Sequence, residues 1–151
     1  MQDTVTAPKS STLVQRYLFF EGACDAAIGF YREKLGAEVT ALMRYQDGPQ
    51  PTGDCGGKIQ PDKVMHAAFR IGDTMLMASD GQCSGQPNFA GFALTLTAKD
   101  IAASERAFAA LSDGGQVIMP LGKTFYSPSF GMVTDRFGVM WMVIVMAEPC
   151  A

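Results

Sequence analysis

Only one imidazole exists in this chain, His66, and that limits its chemistry from the start. A single histidine in a pocket serves as general base, as one ligand to a metal or as a pH switch; on a strand it is equally an ordinary hydrogen-bonded residue. HExxH zinc helices and multi-histidine metal clusters are excluded. The closest two of the four cysteines Cys24, Cys55, Cys83 and Cys150 stand 28 positions apart, which excludes CxxC zinc-ribbon and redox pairs and reads as reduced, structural thiols. GxSxG and GxxxxGK[ST] are absent, and no GxGxxG links a strand to a helix, so neither a dinucleotide site nor a Rossmann-type methyl-donor site has support. Along one apolar run, Gln15, Tyr17 and Phe19 share a face by strand parity, placing an amide, a phenol and a ring side by side. Met75 and Met77, then Met140, Met142 and Met146, alternate as sheet residues do. Their thioethers fill a core or line an adaptable apolar pocket.

The elements that position these residues follow from periodicity. Leu13 to Phe20 reads as a strand, Cys24 to Leu35 as a helix stopped by Gly36, Val39 to Tyr45 as a strand, and Val64 to Ile71 with Thr74 to Ala78 as a hairpin around Gly72-Asp73. Three prolines and four glycines between Asp47 and Lys63 cannot hold a ladder, so residues 47–62 are expected to be a mobile insertion. The second half repeats the order: strand Gly91 to Thr97, helix Asp100 to Leu111, then strands Gln116 to Leu121, Phe130 to Asp135 and Val139 to Met146. Phe30, Gly36 and Val39 recur 78 positions later as Phe108, Gly114 and Val117, while Arg70, Gly72 and Leu76 recur 66 later as Arg136, Gly138 and Met142. Two β-α-β-β-β modules, each too small to bury its sheet alone, are expected to close around a shared concavity.

The 151 residues make one ordinary domain, 48% apolar and only 18% charged, which argues against disorder and leaves a surface poor in charge. Net charge −3 provides no basic patch for nucleic acid, and Val139 to Ala147 is half the roughly 20 residues of a membrane span. Residues 1–12 read as a flexible tail without a secretory signal, and a cytoplasmic location is expected.

In combination, four segments resemble the PhnB-like branch of the vicinal oxygen chelate superfamily, which also holds glyoxalases, extradiol dioxygenases and bleomycin-resistance proteins. They are YLFFEG from Tyr17, AIGFYREKLGAEV from Ala27, VMHAAFRIGDTMLMASD from Val64 and FGMVTDRFGVMWMV from Phe130. The resemblance covers residues 13–146 and implies an α+β domain of two tandem modules, 13–80 and 90–146. These would form a curved eight-stranded mixed sheet around a cavity with the helices outside. It also implies a homodimer. Family enzymes hold a divalent metal with one side chain from the first and last strand of each module. Those positions fall here on Gln15, on Ala93 or Phe92, on Leu76 and on Met142, of which only Gln15 offers a hard donor. The expectation is therefore a metal-independent protein that binds a small, mainly apolar molecule with Gln15, Tyr17, Phe19, His66 and Met142, and with Tyr126 on the aromatic loop 123–131. The alternative is a metal-assisted enzyme using Gln15, His66 and an unplaced acid. Asp80, Asp135, Arg70 and Arg136, near strand ends and turns, read as structural.

Overall fold

Alternating apolar runs and two segments of helical period condense into ten principal elements in the computed structural model, which describes residues 11–48 and 60–147. The first module is β1 (Arg16–Phe19), α1 (Cys24–Leu35), β2 (Glu38–Arg44), β3 (Val64–Ile71) and β4 (Thr74–Ser79). The second repeats it as β5 (Leu94–Ala98), α2 (Ile101–Ser112), β6 (Gln116–Gly122), β7 (Ser129–Thr134) and β8 (Met140–Val145). The expected tandem α+β order is thus present. Most of the 47–62 insertion, like residues 1–10 of the tail, lies outside the described residues.

The eight strands form two four-stranded mixed sheets, β1-β4-β3-β2 and β5-β8-β7-β6, rather than one continuous ladder. β1 and β5 each run parallel to one neighbour, β4 and β8 respectively, and each is a sheet edge. A cleft of about 560 Å³ lies between residues of the two modules, with Arg16 and Thr74 on one side and Thr95 and Trp141 on the other. The exposed Arg16 guanidinium donates to the Met75 carbonyl at 2.8 Å, a charge on an edge strand that discourages further pairing there.

Both modules share one core. α1 buries Cys24, Ala27, Ile28, Phe30 and Tyr31, and the Tyr31 ring stacks on Phe69 of the first sheet at 6.0 Å while meeting Trp141 of the second edge-on at 5.8 Å. Beneath it sits the Asp135 carboxylate, which accepts from Tyr31 Oη at 2.5 Å and from Trp141 Nε1 at 2.9 Å. No side chain of its own caps α1. Asp80, beyond the end of β4, does so from a distance: Oδ1 accepts from the Gly22 and Cys24 amides and Oδ2 from the Val64 amide. The helix ends at Gly36, whose φ of 70° suits glycine. Asp80 and Asp135 are therefore structural, as expected, and Arg70 and Arg136 pair with Glu38 and Asp113.

The repeat carries one correction. Tyr17 faces Met77 across β1 and β4, and Thr95 faces Met142 across β5 and β8, so the last strands correspond at 65 positions and not at the 66 given by the identical residues. A slip of one residue inverts the face of a strand. Leu76 accordingly points into the core, whereas Met142 is half-exposed on the other side of its sheet. The hairpins differ to match: Gly72 and Asp73 close the first in two residues, whereas five separate Thr134 from Met140 in the second.

Candidate functional site

Each sheet turns one face to the helices and leaves the other open. In the first sheet Leu18, Ala67, Phe69, Leu76 and Ala78 are buried toward α1, so alternation sends Tyr17, Phe19, His66, Ala68, Met75 and Met77 to the open side. A β-bulge adjoins the histidine. Arg44 pairs with Val64 and Met43 with His66, which leaves Met65 as the extra residue and sets Met43 directly opposite the histidine.

Tyr17 Oη and His66 Nδ1 are hydrogen-bonded at 2.8 Å, and the Phe19 ring stacks on Tyr17 at 4.9 Å. Phe19 is nonetheless 51% exposed, a large ring left uncovered within the chain. Near the phenol lies the buried Ser79, whose Oγ accepts from the Gly81 amide at 2.9 Å. Burial raises the Tyr17 phenol above its ordinary value and the Ser79 hydroxyl opposes that rise, so the phenol keeps its proton at neutral pH. In contrast, the Cys24 thiol is pushed up by burial and by the neighbouring Asp80 charge, which makes it an inert core residue.

The open face of the second sheet is apolar and rich in sulfur. Met119, Met132 and Met142 are direct cross-strand partners on β6, β7 and β8, and Thr95 Oγ1 lies 3.9 Å from Met142 Sδ. Beside them, Tyr126 meets the Phe125 ring at 5.0 Å and the Phe130 ring at 5.5 Å. Phe125 is fully exposed and Tyr126 partly so, as suits a loop bordering this face.

Of the expected site residues the structure brings together Tyr17, Phe19 and His66. Met142 lies on the other sheet and Tyr126 on its loop. Gln15 is exposed and precedes β1, which begins at Arg16 and not at Leu13, so strand parity stops short of it. Met77, read from the sequence as core or pocket lining, lies on the first face, and Ser79 and Met43 were missed by sequence reasoning. Nothing in the sequence signalled the bulge that sets Met43 opposite His66. Of the metal positions that the resemblance implies, Leu76 is in the core, Met142 carries a thioether on the open face, and Phe92 and Ala93 have no donor. Among the described residues no three His, Cys, Asp or Glu side chains converge.

Two tandem β-α-β-β-β modules, each with one helix behind a four-stranded mixed sheet and an open face in front, define a glyoxalase-like protein. Residues 12–144 match the family model described as 3-demethylubiquinone-9 3-methyltransferase. Protein YjdN of Escherichia coli is 36% identical over 138 residues, which are 87% of this chain and 94% of that one. The crystal structure of protein PA1353 from Pseudomonas aeruginosa is 40% identical, covers 91% of this chain and 100% of its own, and superposes with a TM-score of 0.77. A structure described as a putative 3-demethylubiquinone-9 3-methyltransferase, PhnB protein, from Bacillus cereus is 25% identical over 89% of this chain and 99% of its own, with a TM-score of 0.73. This chain belongs to that PhnB-like family.

Proposed function

We propose that the protein binds a small, mainly apolar molecule against the Tyr17–His66 face, without a divalent metal at the family's usual position, and that it does so as a homodimer. The observation that carries this reading is the phenol–imidazole pair set beside an uncovered Phe19 ring on an open sheet face. A few placed polar groups among rings and thioethers make the lining of a ligand pocket. One sheet face, however, is a wall and not a pocket. Met142, Tyr126 and the methionine row form a second apolar wall that this chain also leaves open. Two-fold pairing that lays the first sheet of one protomer on the second sheet of its partner covers both walls and encloses two equivalent cavities.

Light scattering and saturation-transfer NMR test this on protein prepared without chelators. The expected mass is about 32 kDa, twice the 16.2 kDa chain. The expected NMR result is transfer to 2-acetylnaphthalene as a probe, weakened by Phe19→Ala. A monomer at tens of micromolar refutes the enclosed cavity. About one tightly held transition metal per chain, lost on Gln15→Ala, overturns the metal-free reading and favours a metal-assisted enzyme.

A further inference from the structure

The cleft between the modules is a second concavity, and neither Tyr17 nor His66 lines it. It runs between two sheet edges, β1 and β5, and the repeat makes its two corners equivalent. On β1, Arg16 pairs with Leu76 of β4; on β5, Leu94, 78 positions later, pairs with Trp141 of β8, and all four residues line the cleft. Leu76 and Trp141 are each 3% exposed, and the indole N–H is already given to Asp135, so both present only carbon to the space between them. Arg16 shares strand parity with the buried Leu18, so its side chain starts from the inward face. Where the second module keeps a leucine, the first therefore carries a cation. That guanidinium gives one N–H to the Met75 carbonyl at 2.8 Å, and among the described residues no carboxylate pairs with it. A guanidinium has five N–H donors, so most of its bonding capacity is open to a molecule in the cleft. Asp73, the one other charged residue of the lining, lies in the hairpin turn at the rim, on neither face of the sheet.

We propose that this cleft is a binding site for an amphipathic monocarboxylate, its carboxylate on the Arg16 guanidinium and its apolar body along Leu76, Leu94 and Trp141. The site is independent of the function proposed above for the open face. A planar guanidinium fork matches a carboxylate in two parallel N–H···O bonds, and a carboxylate seated there supplies the counter-charge that this arginine lacks within the chain. The apolar body covers carbon surface that the two modules leave uncovered between their edges. A volume of about 560 Å³ is within the range of small-molecule sites. Asp73 at the rim opposes a second negative charge, which favours a monocarboxylate over a phosphate or a dicarboxylate.

Trp141 is the only tryptophan and lines the cleft, so its fluorescence reports occupancy without a label. The probes are 4-phenylbutanoate and its neutral isostere 4-phenylbutanamide, titrated into the full chain at neutral pH and low salt. Both should change the indole emission. The acid should bind about three- to tenfold more tightly, the range that a partly exposed, charge-assisted pair adds. That preference should disappear in Arg16→Gln and shrink in about 0.5 M salt, with the affinity for the amide unchanged in both cases. The amide thus serves as the control that the substituted cleft is intact. Equal binding of the two by the unsubstituted protein, or a preference that survives Arg16→Gln, overturns the carboxylate assignment. An indole that responds to neither probe overturns the site. Binding that is detected by saturation-transfer NMR, leaves Trp141 emission unmoved and is weakened by Phe19→Ala belongs to the open sheet face; it overturns the cleft and leaves the reading of that face standing.

Discussion

Asp135 is the polar joint between the two modules, and Asp135→Asn tests how much of the shared core depends on it. Four donors converge on the buried carboxylate: Tyr31 Oη at 2.5 Å and Trp141 Nε1 at 2.9 Å on Oδ2, and the Phe137 and Val139 amides at 2.9 and 3.1 Å on Oδ1. Burial and the adjacent Asp135 charge hold the Tyr31 phenol protonated well above its ordinary range, so it is a donor at every accessible pH. An asparagine keeps the Oδ1 bonds and turns an NH₂ toward the other two donors. The Tyr31 hydroxyl can rotate to accept, but the indole N–H cannot, and it is left buried opposite another donor. An unsatisfied buried donor costs about 1–3 kcal/mol, and loss of the charge weakens the remaining bonds, so the expected destabilisation is about 3 kcal/mol. That is a large share of a total near 5–15 kcal/mol and corresponds to a drop of roughly 6–12 °C in Tm. Tyr31→Phe, which removes one donor and leaves the acceptor three others, should cost about 1–1.5 kcal/mol. Trp141 is the only tryptophan and sits in the cluster, so urea unfolding followed by its fluorescence reports the joint directly. Stability of Asp135→Asn within about 0.5 kcal/mol of the parent would refute the assignment of Asp135 as an essential acceptor.

Gly131→Ala should destabilise by about 1–3 kcal/mol in the same assay, because the new Cβ would lie 2.7 Å from a Phe108 ring carbon and 2.9 Å from the Leu121 backbone, which cannot swing aside. Asp80→Ala strips the acceptor from the Gly22, Cys24 and Val64 amides and should cost about 2–4 kcal/mol, with early loss of amide protection in the first turn of α1 under hydrogen exchange. Asp113 is held below the usual carboxylate range by its hydrogen bond to Lys34, by the Lys34 charge and by Arg136. A depressed folded-state value means a contribution present above the unfolded carboxylate value and lost as pH falls through the folded one. The stability gap between the parent and Asp113→Asn should therefore be constant near neutrality and close below about pH 4, as measured by unfolding curves across that range.

The tandem order was readable because each module carries its own signals: the helical spacing of Ala27, Ile28 and Tyr31 ending at Gly36, and the two-residue turn Gly72-Asp73 between alternating runs. The pairing of the strands into two separate sheets was not readable, since nothing in β1 or β5 distinguishes an edge that meets its counterpart from one that does not. Parity placed Tyr17 and Phe19 together correctly, because both lie inside β1. It does not extend to Gln15, which precedes β1 at a boundary that no proline or glycine marks. The role of Asp80 depends on the Gly22, Cys24 and Val64 amides, which are distant in sequence, and such contacts leave no local pattern. His66 was conspicuous by being single, but its hydrogen bond to Tyr17 joins residues 49 positions apart and exists only in the folded sheet.

The one-residue offset between β4 and β8 also bears on how the gene can change. Tandem duplicates tend to be homogenised by unequal crossover and gene conversion, which exchange segments at the points of highest identity. One alignment that identity offers in this chain pairs the Arg-x-Gly turns at Arg70 and Arg136. A conversion tract aligned on them would set Trp141 in the outward place of Met75 and Met142 in the inward place of Leu76, expelling an indole from the core and inserting a thioether from the open face. Such recombinants should fold poorly and be lost. Exchange in that register is thus opposed by the offset, which keeps the phenol and imidazole of the first open face and the methionine row of the second on their own sheets.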